Sequence, residues 1–388
     1  MMQVVLSTIG RFHTFDLARQ LHKRNALKTV FSGYPLSKLR NEGLPGDKVK
    51  SFPWLHGPYM FVNPSSEWIK RQWSWQDQIW FDRFVAAKLP NCDIFHGLSA
   101  VALRSGRSAK KRGAKYVCDR ECSHIRFQNE ILREEHDRQG VRFPGVDPRV
   151  MDNGEAEYDL ADAITVPSQF VRDSFLSNGI SERKINVVPY GVELARFRPV
   201  SSPPSNEFRV LFAGSISVRK GIPYLFEAYQ RLNHPAKRLV LAGGVQPAIQ
   251  HLIGKMRARD DVTFTGHLSQ EKLIKVMSES HVLVLPSVEE GLAYVQAQAM
   301  ACGCPVIAST NTGARDLFED GVEGFIVPIR SSDAIAQSLQ KLADDPDLRA
   351  SMSRRSLARV NTLGGWDRYG DAMTRIFQTL LNVRTAAA

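Results

Sequence analysis

A chain of 388 residues that is 43% hydrophobic has material for more than one core, and its length suits two domains. No apolar run approaches the roughly 20 residues of a bilayer span, and the opening MMQVVLSTIGRF lacks the layout of a signal peptide, so a cytoplasmic protein is expected. The net charge of +11 is gathered in the first third, where residues 1–126 hold 21 Lys and Arg against 9 Asp and Glu, a bias that suits phosphate-bearing substrates or an anionic membrane leaflet.

The first predicted strand is the β-branched run Val4 to Leu6. It leads through STIGRFHT into FDLARQLHKR, where Phe15, Leu17, Ala18 and Leu21 share one helical face. The next segment, Trp54 to Leu89, breaks this rhythm with Trp54, Trp68, Trp73, Trp75 and Trp80 among Lys70, Arg71 and Arg83. As a helix it aligns Ile69, Trp73, Trp80 and Phe84 in a packing stripe, while its cations and indoles also suit a membrane interface. Strand and helix alternate again around DIFHGLSAVALRSGRSAKKRGAKYVCD and ADAITVPSQFVRDSFLSNG, which argues for a parallel sheet covered on both faces. The prolines and serines of RFRPVSSPPSNEF neither continue a helix nor pair in a central strand, so the domain boundary is placed there. RVLFAG, KRLVLAGG, DVTFTG, HVLVLP, CPVIAS and GFIVP then supply a second sheet. The expected architecture is α/β, with two α/β sandwiches facing a cleft, residues 1–199 forming the first and 200–365 the second.

Ligands of such domains bind beyond the carboxyl ends of the strands, so polar residues just after strand-like runs are the candidates. Gly10 follows the first run and lets backbone N–H groups approach an anion, although an ordinary tight turn reads the same way. Arg219 and Lys220 stand before Gly221 and a new helix, suited to stabilising charge on a departing diphosphate. In PSVEEGLAYVQAQAMACG, a loop carries Glu289 and Glu290 into a helix. There a carboxylate can cap N–H groups or hold sugar hydroxyls, and the N–H groups of Gly291, Leu292 and Ala293 can meet an anion or sugar oxygens. Gln298 lies two turns along, among alanines. Cys302 and Cys304 are too closely spaced for a zinc pair, and no metal site is expected. No carboxylate–histidine dyad is visible, and no G-x-G-x-x-G follows the first strand, which disfavours a dehydrogenase.

These segments resemble the retaining, nucleotide-sugar-dependent glycosyltransferases of family 4, whose GT-B fold implies two Rossmann-like domains facing a central cleft and a C-terminal helix, residues 366–388, crossing back to the first. The likeness runs through VVPYGVELARFRP, FAGSISVRKGIPYLFEAY, AGG, FTGHLSQEKL and LPSVEEGLAYVQAQAMACGCPVIASTNTGARDLFEDGVEGFIVP in that order. It implies that Lys220 and Arg219 bind the donor diphosphate, with the Gly10 loop approaching from the other domain and Gly214 and Ser215 in the diphosphate motif. Glu290 would hold the transferred sugar, Leu292 and Ala293 would offer it backbone N–H groups, and His267 and Leu268 would lie near the nucleotide base. His124 is a candidate for touching the sugar, whereas His96 reads as structural. Two positions depart from the family pattern. Gln298 replaces the second of two glutamates eight positions apart, the one that meets the donor ribose, and Ser215 replaces the arginine that commonly follows the motif's glycine.

The activity this resemblance implies is transfer of a hexose-type sugar from a nucleoside diphosphate to an acceptor hydroxyl with retained configuration, the leaving phosphate taking the acceptor proton. The scheme needs no metal and no dissociable cofactor. The basic, tryptophan-bearing N-terminal half points to a lipid-linked or surface glycan acceptor and to peripheral association with an anionic inner leaflet. The competing reading, raised by Gln298, is a catalytically silent subunit that binds nucleotide or glycan. Nucleic acid is not an expected partner, because the cations follow no recognition helix or ribbon.

Overall fold

Seven parallel strands make the first sheet among the described residues, which in this computed structural model are 1–61, 66–193 and 196–385. They are β1 (Val4–Thr8), β2 (Leu27–Ser32), β3 (Val49–Ser51), β4 (Ile94–Leu98), β5 (Lys115–Asp119), β6 (Ala163–Val166) and β7 (Ile185–Val187), in spatial order β3-β2-β1-β4-β5-β6-β7. The second sheet, also parallel, contains β8 (Phe208–Ala213), β9 (Lys237–Ala242), β10 (Val262–Gly266), β11 (Val282–Leu285), β12 (Val306–Ser309) and β13 (Gly324–Val327), in order β10-β9-β8-β11-β12-β13. The six runs expected after the linker therefore all form strands. Leu194 and Ala195 of the VVPYGVELARFRP segment, and residues 386–388 of the expected C-terminal unit, lie outside the described residues.

Strand β1 is buried along its whole length because its alternating side chains enter two different cores. Val4 and Leu6 pack with Phe15, Leu17 and Leu21 of the helix Thr14–Lys23, and with Tyr369, Met373 and Phe377 of the C-terminal helix Trp366–Thr385. Val5 faces the other way, with Phe81, Val85, Tyr116 and Phe175. The C-terminal helix is held on the first domain by Arg24, whose Nη2 lies 2.6 Å from Asp371 Oδ1, and by Lys23, 3.1 Å from Asp367. Where the chain returns, it passes the outgoing segment backbone to backbone: a Cβ on Gly191 would lie 2.5 Å from the Trp366 nitrogen.

The tryptophan segment is helical over Glu67–Lys88, and the expected stripe packs only in part: Phe84 stacks on Phe52 with ring centroids 4.9 Å apart, but the rest is not the buried face. Ile69 is 45% and Trp80 46% exposed, whereas Asp77, Phe81, Asp82 and Val85 face inward. Asp82 accepts hydrogen bonds from the Arg104 and Ser105 amides at 2.7 and 2.8 Å, securing the start of the helix Leu103–Lys111. Asp77 meets His56 Nδ1 at 2.7 Å.

The two domains touch through the helix Ile125–Arg138. Ile131 and Leu132 pack on Val288, and the buried Glu135 accepts from Tyr224 Oη at 2.8 Å and pairs with Arg330 Nε at 2.7 Å. Farther along the cleft, Ser168 Oγ donates to the Gly291 carbonyl at 2.7 Å, and Asp316 accepts from the Gln169 amide at 3.0 Å. Burial pushes the Asp316 carboxyl up to about 6.

Candidate functional site

In both sheets the strand order reverses beside the first strand, between β1 and β4 and between β8 and β11, and these reversals open the crevice in which α/β ligands bind. The loop after β8 carries Arg219 and Lys220, and the loop after β11 carries Glu289 and Glu290. Gly221 lets the two loops meet. It has a φ of 68°, and a Cβ there would collide with the Pro286 carbonyl. The Val288 amide donates to the Arg219 carbonyl at 2.8 Å, tying the loops again. Across this contact Lys220 Nζ pairs with Glu290 Oε2, both side chains only 15% exposed.

Arg219 and Glu289 form a second pair beside the first, with Nε 2.9 Å from Oε2. Glu289 is completely buried and reaches into the other domain. Its Oε1 accepts from the Ser123 amide at 3.1 Å and Ser123 Oγ at 2.7 Å, and its Oε2 accepts from Gln128 Nε2 at 3.1 Å. Burial alone would favour the neutral acid, but Arg219 and these hydrogen bonds together hold the carboxyl below its ordinary range. Burial likewise opposes the charge on Arg219, and the neighbouring Glu289 outweighs it.

On the first-domain side, Gly291 is pressed against the carbonyl of Glu121, so closely that a Cβ would overlap it. After β1, the Gly10 carbonyl accepts from Ser32 Oγ at 2.8 Å, and the chain then turns through Phe12, held at a φ of 38°. Next comes His13, whose Nε2 lies 2.6 Å from Asp119 Oδ2, both residues buried. A carboxylate–histidine dyad therefore exists where sequence reading saw none, because its members are 106 positions apart. Burial would raise the Asp119 acid, yet His13, His96 and a 2.8 Å hydrogen bond from Thr165 Oγ1 bring it down to about 2. For His13 burial acts to discharge the ring, and the Asp119 charge raises its affinity for the proton above the ordinary value.

Two sequence families divide the chain between them. Glycosyltransferase Family 4 matches residues 11–196, and Glycosyl transferases group 1 matches residues 195–359. The chain belongs to the family 4 glycosyltransferases. Its GT-B fold is that of sucrose-phosphate synthase from Thermosynechococcus elongatus, with a TM-score of 0.73 at 21% identity over 99% of this chain and 100% of that one. HepE from Anabaena, solved with UDP and glucose, superposes with a TM-score of 0.71 at 16% identity over 98% and 100%. Among curated relatives, the alpha-D-kanosaminyltransferase of Streptomyces kanamyceticus is 31% identical over 175 residues, 44% of this chain and 45% of that one. The D-inositol 3-phosphate glycosyltransferase of Streptomyces avermitilis is 31% identical over 240 residues, 56% and 52%. The chain spans about half the length of these curated relatives.

In this family 4 chain, two of the sequence expectations need correction. His124 is not presented to a substrate. It is the N-cap of Ile125–Arg138, its Nδ1 accepts from the Arg126 amide at 3.3 Å, and its ring packs against Tyr158 and Phe175, each 5.1 Å away between centroids. Burial lowers this imidazole to about 4, which keeps it neutral. The Ala293 N–H is not free either. It donates to the Thr312 carbonyl at 3.3 Å, because the turn after β12 packs beneath the helix Tyr294–Ala301.

The remaining predicted positions lie along the rim. Gly214 adopts a φ of 148°, and Gly243 packs so tightly over its carbonyl that any Cβ there would collide with it. Ser215 Oγ accepts from Gln246 Nε2 at 3.1 Å. His267 is exposed and Leu268 half-buried just past β10, and the His267 ring lies over Gly244, where a Cβ would be 2.7 Å from Nε2. Leu292 is buried. Gln298 is half-buried, and its side chain makes no hydrogen bond among the described residues. His96 is fully buried beneath Phe377. Sequence reading passed over Glu121, Ser123 and Gln128 and treated His13 only as part of a loop. Their position just beyond β5 or β1 was the available signal.

Proposed function

We propose that this protein is a retaining glycosyltransferase that moves a hexose-type sugar from a nucleoside diphosphate to an acceptor hydroxyl. The observation that carries this reading is the Lys220–Glu290 pair at the strand-order reversal, with the next residue, Gly291, pressed against the Glu121 carbonyl of the first domain. The two charges satisfy each other across the loop contact. A diphosphate would draw Lys220 toward its own oxygens, and the released Glu290 carboxylate would accept hydrogen bonds from sugar hydroxyls. Arg219 supports this exchange by fixing the loop that carries Glu290. UDP-glucose, the ligand named for a HepE structure of the same fold, is the first donor to try. The leaving phosphate takes the acceptor proton in this reading, and closure of the domains keeps water from the donor.

The acceptor proposed is a lipid-linked or surface glycan at an anionic membrane face. Trp54 is 75% and Trp68 68% exposed, while Arg83 stacks on the half-exposed Trp80 with 4.8 Å from Cζ to the ring centroid. No helix among the described residues is long and apolar enough to cross a membrane.

Purified protein incubated with UDP- and GDP-hexoses together with octyl glycosides as acceptors should release nucleoside diphosphate. Glu290→Ala and Lys220→Ala should each reduce that release by about 100-fold or more. Release from no donor, or release that both variants retain, would refute the assignment.

A further inference from the structure

Where the chain crosses between the domains it encloses a cavity of about 340 Å³, lined by neither Arg219, Lys220, Glu289 nor Glu290. The two crossings, 187–191 and 362–365, make opposite parts of its wall, and Asp316 and Leu317 of the second domain complete it. Pockets for small ligands occupy roughly 300–1,000 Å³, so the size suits a small molecule. Three arginines line the same space. Arg359 comes from the second-domain helix Pro346–Leu363, whereas Arg368 and Arg375 come, seven positions apart, from one face of the helix Trp366–Thr385 that is anchored on the first domain.

The nearby acids are committed elsewhere. Asp367 and Asp371, on the same helix as Arg368 and Arg375, pair with Lys23 and Arg24 of the first domain at 3.1 and 2.6 Å. Asp316 is the cavity's own carboxylate, and it accepts from the Gln169 amide at 3.0 Å. Arg359 Nε donates to the Leu317 carbonyl at 2.9 Å, and Arg368 Nη1 donates to the Thr362 carbonyl at 2.9 Å. These bonds fix two of the guanidinium groups and leave their other N–H groups over. The Arg375 side chain makes no hydrogen bond, and none of the three arginines has an ion pair among the described residues. Gly364 gives the Arg368 stem its room: its φ is 77°, and a Cβ there would lie 2.6 Å from Arg368 Cδ. Three cations against one occupied carboxylate leave the recess with an excess of positive charge.

We propose that this recess binds a soluble phosphate-bearing anion, and that the bound anion braces the hinge. Phosphate oxygens accept from the leftover N–H groups of Arg359 on one side and of Arg368 and Arg375 on the other, contacts that the guanidinium fork is shaped to make. Arg359 moves with the second domain, and the other two arginines stay with the first. A ligand held by both sets therefore resists relative rotation of the domains at the two segments through which any such rotation must pass. The site is separate from the donor crevice and stands whether or not the chain transfers a hexose.

The test uses the full chain, with inorganic phosphate and pyrophosphate as probes. Calorimetry should show saturable binding that the combined substitution Arg359→Ala and Arg368→Ala weakens by about tenfold or more, the loss expected when charge-assisted hydrogen bonds are removed. Lys220→Ala, in the donor crevice, should leave that binding within about threefold of wild type. Amide hydrogen exchange should slow at 187–191 and 362–366 when phosphate is added to the wild type, and not in the double variant. Arg375→Ala removes a side chain with no hydrogen bond to lose, so it serves if the double variant folds poorly, with an expected weakening of about threefold or more. Arginine variants that bind phosphate as the wild type does would overturn the proposal, as would binding that disappears with Lys220→Ala or no saturable binding of either probe. Loss of binding to phosphatidylglycerol vesicles with phosphate binding intact would also overturn it, by making the recess a lipid-headgroup contact.

Discussion

His124 shows how one side chain can carry a functional signature and a structural task. It follows a strand and a short loop, as a substrate-facing residue would, but its ring nitrogen caps a helix and its faces are covered by Tyr158 and Phe175. Its folded value, about 4, lies below the ordinary histidine value near 6.5. The native state therefore resists protonation while the unfolded chain accepts it, so this residue's contribution is intact above pH ~6.5 and is lost as pH falls toward 4. Thermal midpoints measured across pH 4–7 should fall on acidification. His124→Asn retains a capping acceptor, so it should flatten that dependence at a cost of about 1 kcal/mol near neutrality. An unchanged acid slope in the variant would assign the dependence to other groups.

At the scale of elements, the site is a set of loops brought together by glycines. Gly221 allows the loops after β8 and β11 to touch, and Gly291 allows the loop carrying Glu290 to approach Glu121 of the other domain. Gly291→Ala places a methyl group in the space of the Glu121 carbonyl, so the cost falls on closure rather than on either sheet. Small-angle scattering should give a larger radius of gyration than wild type, and nucleoside diphosphate release should fall by about 100-fold or more. A closed, active Gly291→Ala protein would show that the domains do not need this approach. Capping is a more local matter: Asp345 stands before Pro346 at the start of the helix Pro346–Leu363, and its side chain accepts from the Leu348 amide at 2.8 Å.

For the whole molecule, the uneven charge and the exposed indoles concern association with a surface. The helix Glu67–Lys88 keeps Trp68 and Ile69 outward because its inner face is assigned to Phe81, Val85 and two aspartates. Arg71 is not available to lipid in the way its sequence position suggests, since Nη2 is bonded to the Gly145 carbonyl at 2.9 Å. The combined substitution Trp54→Ala and Trp68→Ala should weaken binding to phosphatidylglycerol-containing vesicles by about tenfold while leaving nucleotide affinity intact. Equal vesicle binding by the variant would remove these indoles from the proposed membrane contact.

Pattern along the chain was enough for the six strands of the second sheet, because runs such as RVLFAG and HVLVLP are short, apolar and separated by helical spacers, and it marked Arg219, Lys220 and Glu290 as polar groups following strands; β2, β3 and β7 of the first sheet became plain only in the fold. Local pattern was sufficient there, since period and position act over a few residues. Which side chains became partners followed from packing in three dimensions. His13 and Asp119 meet from opposite sides of β4, and Glu289 crosses 166 positions to Ser123. A buried charge takes whichever partners the packing of distant segments delivers, and no spacing along the chain encodes that meeting.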